Sequence, residues 1–149
     1  MKPGNSKQVT VRLASDSDAE RIAILAGQLG YPVSAEDAQQ RLEVLQTDDD
    51  HAVYVAESNG HVVGWVHVYV ACLVIIDRQA EIGGLVVDED NRHCGVGRLL
   101  MHKAEEWARE KACWAVYLRS NVLRKDAHAF YEQIGYPLFK TSRSFRKVL

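Results

Sequence analysis

The segment Arg92-His93-Cys94-Gly95-Val96-Gly97-Arg98 is the part of the chain best suited to bind an anion. It lies between a predicted strand and a strongly amphipathic predicted helix, so unpaired backbone N–H groups would face a ligand where the helix begins. The glycines allow close approach of the backbone, and the helix dipole and two arginines favour negative charge. The pattern predicts a phosphate-binding turn. The alternative is that the two glycines only form a tight turn between strand and helix.

Other familiar phosphate and metal motifs are missing from the sequence. Leu100 stands where a dinucleotide-binding fingerprint requires glycine or alanine, and no P-loop motif occurs. The histidines lack metal-ligand spacing, and Asp48-Asp49-Asp50 lacks the glycine and later glutamate of a calcium loop. Cys94 is not a nucleophile activated by His93, because adjacent side chains point apart. We therefore expect no metal.

Hydrophobic periodicity predicts the strands and helices that position the turn, in the order βααβββαβαββ. Asn59-Gly60 is a strong hairpin signal between two of the strands, and Gly135 is expected to end the last helix. The predicted strands are 9–13, 51–58, 61–76, 80–87, 115–119, 138–140 and 144–148. The predicted helices are 22–29, 34–45, 99–111 and 126–134. The pattern favours an α/β (α+β) fold whose mixed, mostly antiparallel central sheet is flanked by helices.

Composition limits the number of domains and the classes of partner. The chain has 149 residues, which fits one domain over residues 1–149. Its 18 Lys and Arg against 20 Asp and Glu give a net charge of −2, so it has no broad cationic surface for nucleic acid. Three widely spaced cysteines predict reduced thiols. Without a secretory signal or a membrane-length apolar run, we expect a cytoplasmic protein.

Two further motifs and the order of elements extend a resemblance that begins in the glycine turn. Arg92-x-x-Gly95-x-Gly97 resembles the coenzyme-binding motif of the GCN5-related N-acetyltransferases, whose loop holds the pyrophosphate of acetyl-coenzyme A. Residues 80–87 resemble that family's fourth strand, and Ala127-x-x-Phe130-Tyr131 resembles its last helix. The order of elements is also similar, so the resemblance covers essentially the whole chain. It implies an acetyl-coenzyme A-dependent N-acetyltransferase.

The resemblance also implies roles for individual residues. Backbone N–H groups of the fourth strand, in the stretch Leu85-Val86-Val87, would bind the pantetheine arm and the acetyl carbonyl. Gly83-Gly84 would distort that strand where the ligand approaches, or would only relieve crowding. Glu81 occupies the place of a carboxylate that deprotonates the amine, directly or through water; alternatively it is an ordinary solvated residue. Tyr131 matches a tyrosine that protonates the departing thiolate.

The chain departs from the family pattern at one position of the last helix. Arg124 stands where the family often has an asparagine. Asn121, one turn earlier, is an alternative ligand for the pantetheine amides, and Arg124 is an alternative ligand for a coenzyme phosphate.

The identity of the acceptor amine does not follow from the sequence. By resemblance, the two helices after the first strand and the end of the chain would line its pocket, where Tyr31 and Glu36 could contact a cationic amine. A small amine, an aminoglycoside and a peptide or protein amine all remain open. A homodimer paired through the C-terminal strand is expected, and a non-catalytic acyl-coenzyme A-binding module is the alternative function.

Overall fold

One mixed five-stranded sheet organises the computed structural model, which describes residues 8–149. Its strands, in both spatial and chain order, are β1 Val9–Leu13, β2 His51–Ser58, β3 His61–Leu73, β4 Ile76–Val87 and β5 Val116–Tyr117. The helices are α1 Ala19–Leu29, α2 Ala35–Gln46, α3 Val96–Glu110 and α4 Lys125–Gln133. The strands β1 to β4 pair antiparallel, and β5 runs parallel to β4. The predicted fold class is therefore confirmed.

Several helices and strands begin or end at residues that the sequence marks as caps or turns. The Ser34 side chain accepts a hydrogen bond from the Asp37 amide at 3.0 Å and so begins α2. Gly30, with φ +96°, ends α1 in the left-handed conformation that glycine tolerates best. Asn59 and Gly60 both have positive φ and form the tight turn between β2 and β3. These elements agree with their sequence-based predictions.

The hairpin between β3 and β4 turns three residues earlier than predicted. The sequence suggested a strand over 61–76 followed by a turn at Asp77-Arg78. Instead Leu73 pairs with Ile76, which leaves Val74 and Ile75 as an exposed apolar turn. The prediction is wrong because the apolar run continues through the turn, and the register of the hairpin, not hydrophobicity, fixes where the chain reverses.

Helices cover both faces of the sheet. Val55, Val62 and Val86 pack with α1 and α2 in one hydrophobic cluster. The opposite face packs against α3, whose Leu100 is fully buried beside Gly64 of β3. The sheet thus fixes the beginning of α3 relative to β4, and the turn that joins these two elements is the predicted phosphate-binding turn.

The described residues form two compact units, one up to Leu118 and one over Arg119–Leu149. The second unit contains α4, which ends before Gly135 with φ +95°. The predicted strands 138–140 and 144–148 are wrong, because residues 137–149 form no strand and are not part of the five-stranded sheet. The strand predicted over 115–119 is shortened to β5. The single-domain assignment stays a prediction.

Candidate active site

The turn between β4 and α3 presents backbone N–H groups to solvent. Gly95 is the residue that precedes α3, with φ +82°, and no side chain caps the helix. A Cβ on Gly95 would meet no atom within 4 Å, so glycine is required there by its conformation and not by lack of space. The amides of Val96, Gly97 and Arg98 are too near the start of α3 to pair within it. This arrangement suits an anion.

Two arginines and a histidine lie at this turn. Arg92, His93 and Arg98 are all exposed, and the Arg92 Nε donates to the Val87 carbonyl at 3.2 Å. Cys94 is also exposed, and its Sγ lies 3.5 Å from the Arg92 carbonyl. The Val96 side chain is buried, so only its backbone can face a ligand. Two arginines thus flank the glycines, and the exposed acidic side chains of Glu89 and Asp90 precede them in the chain.

The last residues of β4 have an open edge next to this turn. The strand β5 pairs only with Ala80 and Glu81, so β4 beyond them pairs with β3 alone among the described residues. The Asp88 N–H points to β3, since it donates to the Val63 carbonyl at 2.8 Å. Directions alternate along a strand, so the N–H groups of Leu85 and Val87 point away from β3, to the open edge.

Val86, between these two residues, directs its N–H toward β3 and packs its side chain into the core. The carbonyl of Val87 points the same way as its N–H, and its hydrogen bond from Arg92 lies on the open edge. The open edge therefore adjoins the cationic turn.

An ion pair fastens the end of β4 to α1. Arg21 donates to the buried Asp88 carboxylate and also to the Val62 carbonyl. Burial alone would raise the pKa of Asp88, but hydrogen bonds from the Asp90 amide, Gln28 and Arg21 outweigh it and lower the pKa below its usual value. The strand that leads into the turn is thus held by charge as well as by packing.

The glycines of β4 lie at a bulge that makes room for side chains of β3. Gly83 is the extra residue in the pairing of β3 with β4. A Cβ on Gly83 would lie 2.8 Å from the His67 Nδ1, and one on Gly84 would lie 2.8 Å from the Trp65 ring. The two glycines therefore do avoid a steric clash, and the side chains that a Cβ would meet belong to β3. The same bulge turns the N–H groups of Leu85 and Val87 to the open edge.

Glu81 is buried in the middle of β4, with 8% of its surface exposed. Its carboxylate accepts a short hydrogen bond from the Tyr69 hydroxyl. Tyr69, on β3, lies directly opposite Glu81 of β4 and directly opposite His51 of β2. The solvated alternative for Glu81 is wrong, because this carboxylate is held inside the sheet by a tyrosine.

Two histidines accompany this carboxylate and were not singled out from the sequence. The His51 Nδ1 lies 2.9 Å from the His67 Nε2, and the His51 ring stacks on Tyr69 with 5.2 Å between centroids. Burial, aided by the charge of His51, lowers the pKa of His67 to about 4. The hairpin turn at Asn59-Gly60 would by itself place His51 opposite Val68, and a bulge between residues 56 and 57 shifts the register so that His51 lies opposite Tyr69. The hairpin signal in the sequence therefore does not reveal this pair.

The second unit holds three of the predicted site residues, Asn121, Arg124 and Tyr131. Burial raises the pKa of Tyr131, and the nearby Arg124 guanidinium offsets part of that increase. The phenol is therefore protonated at neutral pH, as a proton donor must be. The Asn121 Oδ1 accepts from the Leu123 amide at 2.9 Å and so stabilises the turn before α4. Arg124 is exposed at the start of α4.

Tyr31 and Glu36, predicted to contact the acceptor, lie on either side of the turn between α1 and α2. Both are exposed, and 68% of the surface of Tyr31 is accessible to solvent.

Among residues 8–149, no cluster of three histidine, cysteine or acidic side chains could hold a metal ion. Within the same range, no helix has the length and apolar character needed to cross a membrane. The three cysteines are free.

Comparison with known proteins agrees with this geometry. Residues 20–136 match the sequence profile of the Acetyltransferase (GNAT) family. The uncharacterized N-acetyltransferase MJ1207 of Methanocaldococcus jannaschii is 34% identical over 94 residues, which are 62% of this chain and 42% of that protein. The chain thus matches less than half the length of this relative.

Solved structures show the same fold. The aminoglycoside antibiotic 6'-N-acetyltransferase AAC(6')-IG of Acinetobacter haemolyticus is 17% identical with a TM-score of 0.83, covering 94% of this chain and 99% of that one. AAC(6')-Iy, in complex with the bisubstrate analogue CoA-S-monomethyl-acetylneamine, is 16% identical with a TM-score of 0.84, covering 95% and 99%. From the profile match, which spans most of its length, the chain belongs to the Acetyltransferase (GNAT) family.

Proposed function

We propose that the protein transfers the acetyl group of acetyl-coenzyme A to a primary amine, by direct attack of the amine in a ternary complex. One observation carries the proposal: the unpaired amides that begin α3 adjoin the open edge of β4. A diphosphate fits the first feature, and an extended amide-containing chain fits the second. Coenzyme A joins both groups in one molecule.

Different residues around the turn would bind different parts of the coenzyme. The amides from Gly95 to Arg98 would hold the pyrophosphate, with Arg92 and Arg98 adding positive charge and His93 beside them as a further polar contact. Cys94 would contribute its backbone only. The N–H groups of Leu85 and Val87 would bind the pantetheine amides and the acetyl carbonyl. The resemblance assigns a contact with the coenzyme to Asn121 or Arg124 as well.

Two groups supply the proton transfers of the reaction. Acetyl-coenzyme A brings a thioester whose carbonyl carbon accepts the amine and whose thiolate departs. Glu81 would take a proton from the incoming ammonium, directly or through water. Tyr131 would give its phenolic proton to the departing sulfur, which its raised pKa permits at neutral pH. A buried carboxylate and a protonated phenol are the pair that this reaction needs.

The acceptor is proposed as a small molecule with a cationic primary amine, for which the exposed Tyr31 and Glu36 offer aromatic and acidic contacts. Aminoglycosides are acceptors of this kind, as the name of one structural neighbour indicates. A peptide amine is a second possibility that the assay below would detect.

We also propose a homodimer, because pairing would cover the exposed apolar side chains of the C-terminal segment: Leu138, Phe139 and Phe145. Light scattering of the purified protein would give twice the chain mass; a monomer at micromolar concentration would contradict the dimer.

The test separates binding from turnover. Calorimetric titration with acetyl-coenzyme A is followed by mass spectrometric detection of acetylated product from a panel of aminoglycosides, polyamines and peptides. Glu81→Gln is expected to lower kcat by on the order of 100-fold with unchanged coenzyme affinity. Glu43→Gln, an exposed change on α2, is the matched control and should behave as the unmodified protein.

Two outcomes would redirect the proposal. Absence of coenzyme binding would refute it altogether. Coenzyme binding without product from any amine would favour the alternative, a non-catalytic module that senses acyl-coenzyme A.

A further inference from the structure

Glu81 lies on the face of the sheet that α1 and α2 cover. Trp65 of β3 packs against the hydrophobic cluster that these helices form with Val55 and Val86. Side chains alternate along a strand, so Tyr69, four residues after Trp65, is on that same face, as is Glu81 directly opposite it on β4. These two helices are the ones expected to line the acceptor pocket. The carboxylate of Glu81 is therefore on the side from which the amine would approach.

The two oxygens of this carboxylate have different surroundings. The Tyr69 hydroxyl donates to Oε2, and within residues 8–149 no other group donates to the carboxylate. Oε1 is also not one of the side-chain oxygens that are buried without a partner, which in the same part of the chain are those of Ser58 and Ser120. Oε1 therefore has contact with solvent, although Glu81 as a whole is only 8% exposed. The tyrosine holds one oxygen and leaves the other accessible.

The ring of Tyr69 is itself held by two imidazoles. It stacks on His51 with 5.2 Å between the centroids, and its centroid lies 5.7 Å from that of His67. The His51 Nδ1 lies 2.9 Å from the His67 Nε2, so one imidazole donates to the other. Burial lowers the pKa of His67 to about 4, so His67 is neutral at pH 7 and pairs with His51 without repulsion between charges. Contacts made through its ring therefore keep the Tyr69 hydroxyl in place.

A hydrogen bond to a buried carboxylate has two effects. It favours the charged form, because the bond to a carboxylate is stronger than the bond to a carboxylic acid. It also limits rotation of the carboxylate, so that the second oxygen points in a constant direction. A general base must be ionised at the working pH and aligned with the proton that it removes. The Tyr69 hydroxyl serves both requirements for Glu81.

We propose that Tyr69 is a positioning residue of the reaction: its hydroxyl holds Oε2 of Glu81 and so presents Oε1 to the ammonium group of the acceptor. This inference rests on the proposed function. In the step, an N–H bond of the ammonium breaks, its electron pair stays on nitrogen, and the proton forms an O–H bond with Oε1. Tyr69 keeps its own proton throughout. Because Oε1 is accessible, the proton then passes from it to water, which restores the carboxylate for the next turnover.

Other titratable side chains lie beside this carboxylate. Tyr117 of β5 is directly opposite it, His51 and His67 contact the ring of Tyr69, and Asp48 lies 3.8 Å from the His51 Nε2. Protonation of an imidazole would also change the rate at acid pH. The pKa of His67 is, however, set by burial and by His51, and not by Tyr69. A change in the acid range that follows removal of the Tyr69 hydroxyl therefore reports on the carboxylate.

Tyr69→Phe tests the positioning role, because it removes the hydroxyl and keeps the ring. On the plateau of the pH–rate profile, kcat is expected to fall by on the order of tenfold at unchanged coenzyme affinity, since the carboxylate is free to rotate. The acid limb, where the base gains a proton, should move to higher pH by about one to two pH units, the usual strength of a hydrogen bond to a charged group. A merely structural role would lower stability without moving this limb. An unmoved acid limb, or a plateau kcat equal to that of the unmodified protein, would overturn the proposal.

Tyr54→Phe is the matched control. Tyr54 is a buried tyrosine of β2 on the opposite face of the sheet, where burial and the charges of Glu110 and Glu106 of α3 raise its pKa. Loss of its hydroxyl should leave both the plateau kcat and the acid limb as they are in the unmodified protein. A shift of the same size in this control would overturn the assignment to the Tyr69 hydroxyl.

Titration of Glu81 in the resting protein separates this inference from the proposed function. The glutamate carboxyl groups are labelled with ¹³C, and the Glu81 resonance is identified by its absence in Glu81→Gln. Its titration midpoint is expected at higher pH in Tyr69→Phe than in the unmodified protein, by the same interval of about one to two pH units. Equal midpoints would overturn the positioning role. Lack of any amine acetylation by the unmodified protein would instead refute the proposed function, whatever the titration shows.

Discussion

Gly64→Ala tests how the sheet positions the beginning of α3. A Cβ at this position would lie 2.9 Å from the Val86 carbonyl oxygen, 3.1 Å from the Leu100 Cδ1 and 3.3 Å from the Val96 Cγ1. Favourable carbon contacts begin near 3.5 Å, so α3 must move from β3 by about 0.5 Å or the strands must separate. Leu100 and Val96 are both fully packed, which leaves little room for relaxation.

We expect this substitution to lower the free energy of unfolding by about 1–3 kcal/mol, the usual cost of overpacking a core. The melting temperature should fall by about 2–4 °C for each kcal/mol. Because Val96 is the first residue of α3, the same displacement moves the amides proposed to hold the diphosphate. Acetyl-coenzyme A should therefore bind more weakly as well.

Thermal unfolding and calorimetric titration measure these two effects on the same sample. Gly27→Ala is the matched control, since a Cβ there meets no atom within 4 Å and α1 is helical at that point. The control should gain about 0.4–1 kcal/mol of stability and keep its coenzyme affinity. If Gly64→Ala melted at the temperature of the unmodified protein, the packing argument would be refuted.

Three further predictions concern charge and protonation. Arg92→Ala should weaken acetyl-coenzyme A binding about tenfold or more in a calorimetric titration, because it removes a charge-assisted contact; unchanged affinity would be contrary to the assigned role. Tyr131→Phe should lower kcat and abolish the alkaline fall in rate that deprotonation of the buried phenol causes above the ordinary pKa of tyrosine, as measured by a pH–rate profile. Asp88→Asn should cost about 1–3 kcal/mol at pH 7 in urea unfolding, since its carboxylate pairs with Arg21. The folded-state pKa of Asp88 is lowered, so this stabilisation is present above the unfolded pKa of about 4 and disappears as the pH falls through the folded value; the variant should show a smaller acid-induced loss.

Local signals predicted most of the fold. Ser34, Gly30 and Asn59-Gly60 set the ends of elements through interactions within a few residues, so their patterns can be read from one sequence. The β3–β4 turn was misplaced because its position depends on register with a neighbouring strand. The missing C-terminal strands show the same limit, since an apolar segment forms a strand only when a partner supplies the ladder.

The candidate site likewise contains features that the sequence predicts and features that it does not. The glycine turn could be predicted because neighbours in the sequence form it, whereas the open edge of β4 was implied only by the resemblance, since it depends on where the distant β5 stops pairing. The hydrogen bond from Tyr69 to Glu81 and the pair of His51 with His67 arise from contacts between strands, which alternation within a single strand does not reveal. The crowding around Gly83 and Gly84 likewise comes from side chains 16 and 19 positions away in the chain, His67 and Trp65.

A crystal structure of the protein with acetyl-coenzyme A tests the central claim most directly. We predict that the oxygens of the coenzyme diphosphate lie within hydrogen-bonding distance of the backbone N–H groups at the start of α3, between Gly95 and Arg98. The pantetheine arm should then follow the open edge of β4 past Val87 and Leu85. A diphosphate bound at any other place on the molecule would contradict the account.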